Sequence, residues 1–136
     1  MSTIFKKIID REIPADIVYE DEHTLAFLDI HPAKKGHTLV IPKKEFENVF
    51  DGDAESLGHM MTTAQKVAKA LMETLGAQGV NIHMNNGHEA GQEVPHAHLH
   101  VIPRFVRSEL FPPPPHETYE NGESTTLAER IKSALQ

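Results

Sequence analysis

Residues 96–102 read His96-Ala97-His98-Leu99-His100-Val101-Ile102, three histidines alternating with apolar residues, and Pro103 follows. Successive side chains of a β-strand point to opposite faces, with ~3.3 Å of rise per residue. The run therefore predicts a strand with His96, His98 and His100 in a row on one face, neighbouring imidazoles roughly 6–7 Å apart. Ala97, Leu99 and Val101 would enter a core on the other face. A helix would scatter the three rings around its axis, so the period of two selects the strand. An affinity tag would be contiguous and terminal, and a merely wet strand face would carry Thr, Ser, Lys or Glu. The row of imidazoles marks a site.

The remaining chain reads as one domain of 136 residues, long enough to bury a core without staples. Residues 3–104 form its body, 105–123 a proline-containing arm and 124–135 a C-terminal helix. Ile4, Phe5, Ile8 and Ile9 give Thr3–Arg11 a helical face with Thr3 as its cap. Strands are expected at Ile17–Tyr19 and Leu25–Leu28, joined by a loop at Asp21-Glu22-His23, and at His37–Pro42 after a turn at Ala33–Gly36. Leu57, Met60, Met61, Ala64, Val67, Ala68, Leu71 and Leu75 recur at helical spacing between Asp53 as N-cap and Gly76 as stop. Those methionines are core packing. Val80–Met84 is a fourth strand, and a loop from Asn85 to Pro95 leads into the histidine strand. Phe111-Pro112-Pro113-Pro114-Pro115 cannot enter a sheet and predicts a polyproline turn or arm. Leu127, Ile131 and Leu135 restore helical periodicity from Ser124, its cap, to Leu135. The fold class is α+β: a five-stranded antiparallel sheet with two or three helices.

The chain has no cysteine, which excludes disulfides and thiolate zinc sites and fits a reducing compartment. A net charge of −7 opposes binding nucleic acid over a broad surface, yet leaves room for a small phosphate ligand in a local pocket. With no apolar run of ~18 residues and no signal-peptide core after Met1, a cytoplasmic protein without membrane contact is expected.

Converging imidazoles serve three chemistries. They can bind zinc with an open position, move protons as general acid and base, or supply a nucleophile to phosphorus while their neighbours hold the oxygens. The loop Asn85-Asn86-Gly87-His88-Glu89-Ala90-Gly91-Gln92 favours phosphate. Its glycines let backbone N–H groups turn toward an anion, and its amides add hydrogen bonds without charge.

The run His96–Ile102 resembles the signature of the histidine triad nucleotide hydrolases and transferases. The resemblance extends over about residues 3–104 in family order: Thr3–Ile9, Glu12–Ala15, Tyr19–Asp21, Ala26–Ile30, Gly36–Lys43 and Ala90–His96. It looks closest to the branch of the purine-nucleoside phosphoramidases and many bacterial proteins. The resemblance implies a homodimer with sheets joined edge to edge, and cleavage of purine nucleoside 5′-phosphoramidates, or related nucleotide conjugates, to the monophosphate. His98 would be the nucleophile, His100 would bind phosphate or ribose oxygens, His96 would orient the site and His37 would support it. Such a nucleophile should donate its other nitrogen's hydrogen to a fixed acceptor, for which a backbone carbonyl is expected. Asp29 would receive the ribose hydroxyls. Asn85 would sit at the phosphate and leaving group, with Gln92, Glu93 and Val94 bringing backbone near the phosphate. Phe5, Ile8, Ile13, Leu28 and Ile30 would line the base slot. His31, His59, His83 and His88 receive no role.

Two departures stand out. Many bacterial members hold a structural zinc with two N-terminal cysteines, a histidine after the third strand and a further histidine near the triad. Here Thr3, Lys6 and Glu45 occupy the first three of those positions, so no metal and no other cofactor is expected. Glu93 replaces a serine of the phosphoramidase branch, and its charge would repel an anionic leaving group or protonate an amine. Related readings are hydrolysis of diadenosine polyphosphates and a nucleotide-binding module with little turnover.

Overall fold

Thr3 caps the first helix as the sequence implies: its Oγ1 accepts from the Lys6 backbone N–H at 3.1 Å. The computed structural model describes residues 3–110 and 112–135; Phe111, assigned by the sequence to the arm, lies outside them. Helix α1 spans Ile4–Ile9 and ends before Arg11, whose φ of 61° is incompatible with helix continuation. The strands follow as β1 (Ile17–Glu20), β2 (Thr24–Leu28), β3 (Thr38–Pro42), β4 (Gly79–His83) and β5 (Leu99–Arg104), in the antiparallel order β1-β2-β3-β5-β4.

Helix α2 (Ala54–Leu75) matches its sequence signals at both ends. Asp53 accepts from the Ser56 N–H at 3.1 Å, and Gly76 ends the helix with φ +72°. Its buried face of Met60, Ala64, Val67 and Leu71 packs on Ala26, Val40, Leu99 and Val101. Thr63 and Thr24 join their hydroxyls across that interface at 2.7 Å, so the polar pair is satisfied where it is buried. On the opposite face of the sheet, α1 lays Phe5 and Ile8 over Leu25, Phe27, Leu39 and Ile41.

The histidine run departs from its expected form. The ladder between β3 and β5 stops at Val40 and Leu99, so only His100 of the triad lies in a strand. Continuing it would bring Pro42 into register, and proline has no N–H to donate. The Ala97 N–H turns instead to the Phe46 carbonyl at 2.9 Å.

The arm after residue 110 is exposed throughout its described part. Helix α3 spans Glu123–Ala134, one residue earlier than expected at its start. Gly122 occupies its cap and no side chain caps it, in place of the expected Ser124. Leu127, Ile131 and Leu135 form an apolar stripe that this chain leaves exposed. Among the described residues no helix is long and apolar enough to cross a membrane.

Candidate active site

The turn before β3 sets the first imidazole. Gly36 takes φ +100°, and a β-carbon there would lie 2.6 Å from Leu75 Cδ1, so the chain can turn this close to α2 only as glycine. His37 follows, 5% exposed. The Ala33 N–H donates to His37 Nδ1 at 3.0 Å. A nitrogen that accepts this bond carries no hydrogen, so neutral His37 is protonated at Nε2. Nε2 lies 2.9 Å from His100 Nδ1 and therefore donates to it. His100 in turn holds its hydrogen on Nε2, the nitrogen left for a ligand.

His98 has the opposite tautomer. Its Nδ1–H donates to the His96 carbonyl at 2.7 Å, which leaves Nε2 with a free lone pair. The acceptor is the backbone carbonyl that the sequence implies. His96, 1% exposed, donates from Nε2 to the Pro42 carbonyl at 3.0 Å. The rings of His98 and His100 stand 5.0 Å apart, edge to face. The site thus presents a bare nitrogen beside an N–H donor.

Burial is the main cause that holds all four imidazoles below the ordinary histidine pKa, and His100 falls to about 4. The charges of His98, His83 and His37 push His100 down further. The triad is neutral at pH 7. Phe5 supplies much of the apolar wall, standing edge-on to His98 at 5.0 Å and to His96 at 5.9 Å.

The other expected residues divide. Asp29 lies beside the imidazoles: its Oδ2 is 3.7 Å from His37 Nε2, and its Oδ1 accepts from the His31 N–H. Asn85 rests its amide against Gly91, where a β-carbon would sit 3.6 Å from Nδ2. Gly87 and Gly91 take φ of 99° and 95°, as the loop's glycines led us to expect. Ile8, Ile13 and Val94 pack with Phe5 on the α1 face, while Ile30 and Glu93 are exposed. Two side chains turn elsewhere. Gln92 is 8% exposed and spends its amide inside the loop, donating to the Glu47 and Val94 carbonyls and accepting from Asn48 and the Gly87 N–H. Leu28 lines an apolar cavity of about 440 Å³ on the α2 face, beside Val67 and Leu71. The physical reason is strand alternation: Leu25 and Phe27 face α1, so Leu28 faces away.

Phe27, rather than Leu28, is the residue of β2 that faces Phe5, with its ring 5.6 Å away. Counting alternation from the core residues of β2 would have found it. His83, opposite His100 in the β4–β5 ladder, stacks on it at 4.5 Å with planes 16° apart. The roles of the Ala33 N–H and the Pro42 carbonyl carry no sequence signal, because every residue type has such a carbonyl and all but proline such an N–H.

Two groups of side chains stand where a metal could be held. Asp29, His37 and His100 bring ligand atoms within 4.8 Å. The Ala33 N–H, however, fixes His37 Nε2 as a donor, and metal binding there would force a second hydrogen onto Nδ1 against that N–H. At the N-terminal positions Thr3 Oγ1 is spent on capping, and the Lys6 ammonium pairs with Asp10 at 3.0 Å. Neither set fits a bound metal.

A family model described as the HIT domain matches residues 10–107. An uncharacterized HIT-like protein of Methanocaldococcus jannaschii is 53% identical over 102 residues, which cover 75% of this chain and 78% of that one. The purine nucleoside phosphoramidase of Escherichia coli K12 is 45% identical over 103 residues, 74% of this chain and 85% of its own. The crystal structure of a HIT family member from Bacillus subtilis superposes with a TM-score of 0.88 at 39% identity, covering 98% of this chain and 96% of that one.

Proposed function

This chain belongs to the HIT domain family, and on that footing we propose that it hydrolyses a purine nucleoside 5′-phosphoramidate, or a related nucleotide conjugate, to the nucleoside monophosphate through a nucleotidyl-His98 intermediate. Membership brings a nucleotide-related binding or hydrolytic function; the similarity to the Escherichia coli phosphoramidase supports the narrower substrate class. The observation that carries the reading is the opposed tautomers of His98 and His100, one bare nitrogen and one N–H donor on rings 5.0 Å apart.

In this reading His98 Nε2 attacks the α-phosphorus, and the P–N bond breaks as the leaving amine takes its electron pair and a proton from solvent. His100 Nε2–H donates to a phosphate oxygen as charge gathers there. Water then attacks phosphorus and breaks the P–Nε2 bond. The pair returns to His98, and the monophosphate leaves with the water's proton passed to solvent. Asp29 accepts from the ribose hydroxyls, and Phe5, Ile8, Ile13, Phe27 and Ile30 shape the base slot. The Asn85 amide and the backbone from Gln92 to Val94 approach the phosphate, with Glu93 at the leaving-group side. His96 orients the carbonyl on which His98 is held. No step is assigned to a metal.

The proposed assembly is a homodimer across the unpaired β4 edge, next to exposed Val49, Phe50, Met61 and Ile82, since pairing that edge removes a row of unsatisfied backbone groups. The cytoplasm is the proposed compartment.

The test is AMP release from adenosine 5′-phosphoramidate in the presence of EDTA, for the native protein and for His98→Ala. Release by the native protein only is expected. Equal release by both removes His98 as nucleophile, and release by neither removes the substrate class.

A further inference from the structure

Helix α3 stands clear of the body that precedes it. Its residues are all exposed, and Leu127, Ile131 and Leu135 align at spacings of four along one side. A helix of 12 residues is marginal in water without a surface to pack on, and no side chain caps this one. Among the described residues none covers the stripe.

A seat for such a stripe lies beside α2. The cavity of about 440 Å³ that Leu28 lines runs along α2 from Lys66 to Leu75 and is bounded by Val18 of β1. Val18 and Leu75 are themselves exposed, so the apolar surface continues out of the cavity. The charged side chains in its lining are both cationic, Lys35 and Lys66. Lys66 donates to the Tyr19 hydroxyl, which donates in turn to Asp21. That carboxylate also accepts from the His23 and Thr24 N–H groups and is thereby engaged. Residues 112–135 carry four carboxylates, Glu117, Glu120, Glu123 and Glu129, against two cations, Arg130 and Lys132. An acidic segment with an apolar stripe is complementary to a cationic rim around an apolar groove.

The arm decides whose groove is filled. Pro112–Pro115 is a stiff, extended run that carries α3 away from its own body. Residues 112–122 reach about 34 Å at polyproline rise. In a β4-edge pair the β2 strand of the second copy lies five strand spacings from β5, roughly 24 Å. The exposed apolar residues Val49, Phe50, Met61 and Ile82 are already assigned to that edge, which leaves the groove beside α2 for the helix.

We propose that the two copies of a β4-edge dimer exchange their C-terminal helices, each α3 laying Leu127, Ile131 and Leu135 into the groove beside α2 of the other. This inference rests on the proposed edge pairing and adds the surface that the arm engages. Three such side chains bury on the order of 400 Å², short of the roughly 1,200–2,000 Å² of a stable interface. Exchange therefore follows edge pairing and does not replace it.

The chain has no cysteine, so a pair can be introduced without background. Ala70→Cys in the groove and Ile131→Cys on the stripe, combined in one chain and treated with a short bis-maleimide, should give a covalent dimer on a denaturing gel. Either substitution alone should give none. Leu127→Glu in the same background should lower the yield about tenfold, the scale of one buried leucine, while light scattering still reports a doubled mass. Ile82→Lys, which parts the edge, should abolish the product. Joining of the two thiols within one chain overturns exchange, because α3 then lies in its own groove. A dimer from Ile131→Cys alone overturns the groove as the seat. Doubled native mass without any cross-link rejects exchange and leaves edge pairing standing; single-chain native mass rejects both.

Discussion

The backbone N–H of Ala33 donates to His37 Nδ1, and through that bond a turn residue with no reactive side chain determines which nitrogen of His100 carries a hydrogen. The relay is two hydrogen bonds long and ends on the donor proposed for phosphate. A hydrogen on the wrong nitrogen of His100 would turn two lone pairs toward one anion, which costs both the bond and the desolvation already incurred.

Breaking the relay should therefore be visible without any substrate. In His37→Leu, nitrogen NMR at pH 7 should find His100 distributed between tautomers, whereas the native protein holds it at Nε2–H. The variant's kcat should fall about tenfold with a smaller change in KM. A single, unchanged His100 tautomer in His37→Leu would remove the relay from the account.

Acid should weaken the fold through the same residues. His37, His96, His98 and His100 all have folded pKa values below the unfolded value near 6.5, chiefly because they are buried. As pH falls below 6.5 the unfolded chain takes up protons that the native state refuses, so stability is complete above that pH and declines toward each folded value. For His100 the window runs from about 6.5 down to about 4. Between pH 6.5 and 5 it should contribute a loss of about 1.5 kcal/mol. Urea denaturation across this range checks it, with His100→Gln giving a flatter profile; an equal slope in that variant would assign the loss elsewhere.

Gln92 is expected to act on stability before it acts on chemistry. Replacing it with Ala strands the Asn48 amide, the Gly87 N–H and two carbonyls in a buried loop. The cost should be about 2–4 kcal/mol, read as a lower urea midpoint. A loss below about 0.5 kcal/mol would mean that water replaces the amide at no cost.

The proposed dimer can be weighed directly. Light scattering at micromolar concentration should give about twice the 15.2 kDa of one chain. Ile82→Lys, which sets a charge on the β4 edge, should return the mass toward that of one chain. A native protein of single-chain mass, or a variant that remains doubled, would reject the β4 edge.

The sequence by itself determined the elements and the presence of a site. Asp53 and Gly76 bracket α2 because a cap and a left-handed glycine act locally, and the apolar periods of β2 and α2 report which face is buried. The alternation of His96, His98 and His100 marked a site, and the need for a fixed acceptor behind His98 followed from the nucleophile's role proposed for it. Tertiary structure decided the tautomers and the true geometry of the row. Pro42 ends the ladder, so His96 and His98 leave the strand that their alternation predicts. Their partners are the backbone carbonyls of Pro42 and His96, and that of His37 is the Ala33 N–H, groups whose side-chain identity does not encode the bonds made. The pairing of His83 with His100 is likewise a matter of register between strands that lie 17 residues apart in sequence at those positions. Local rules act within a few residues; hydrogen-bond direction in a buried site is set by whatever the fold brings alongside.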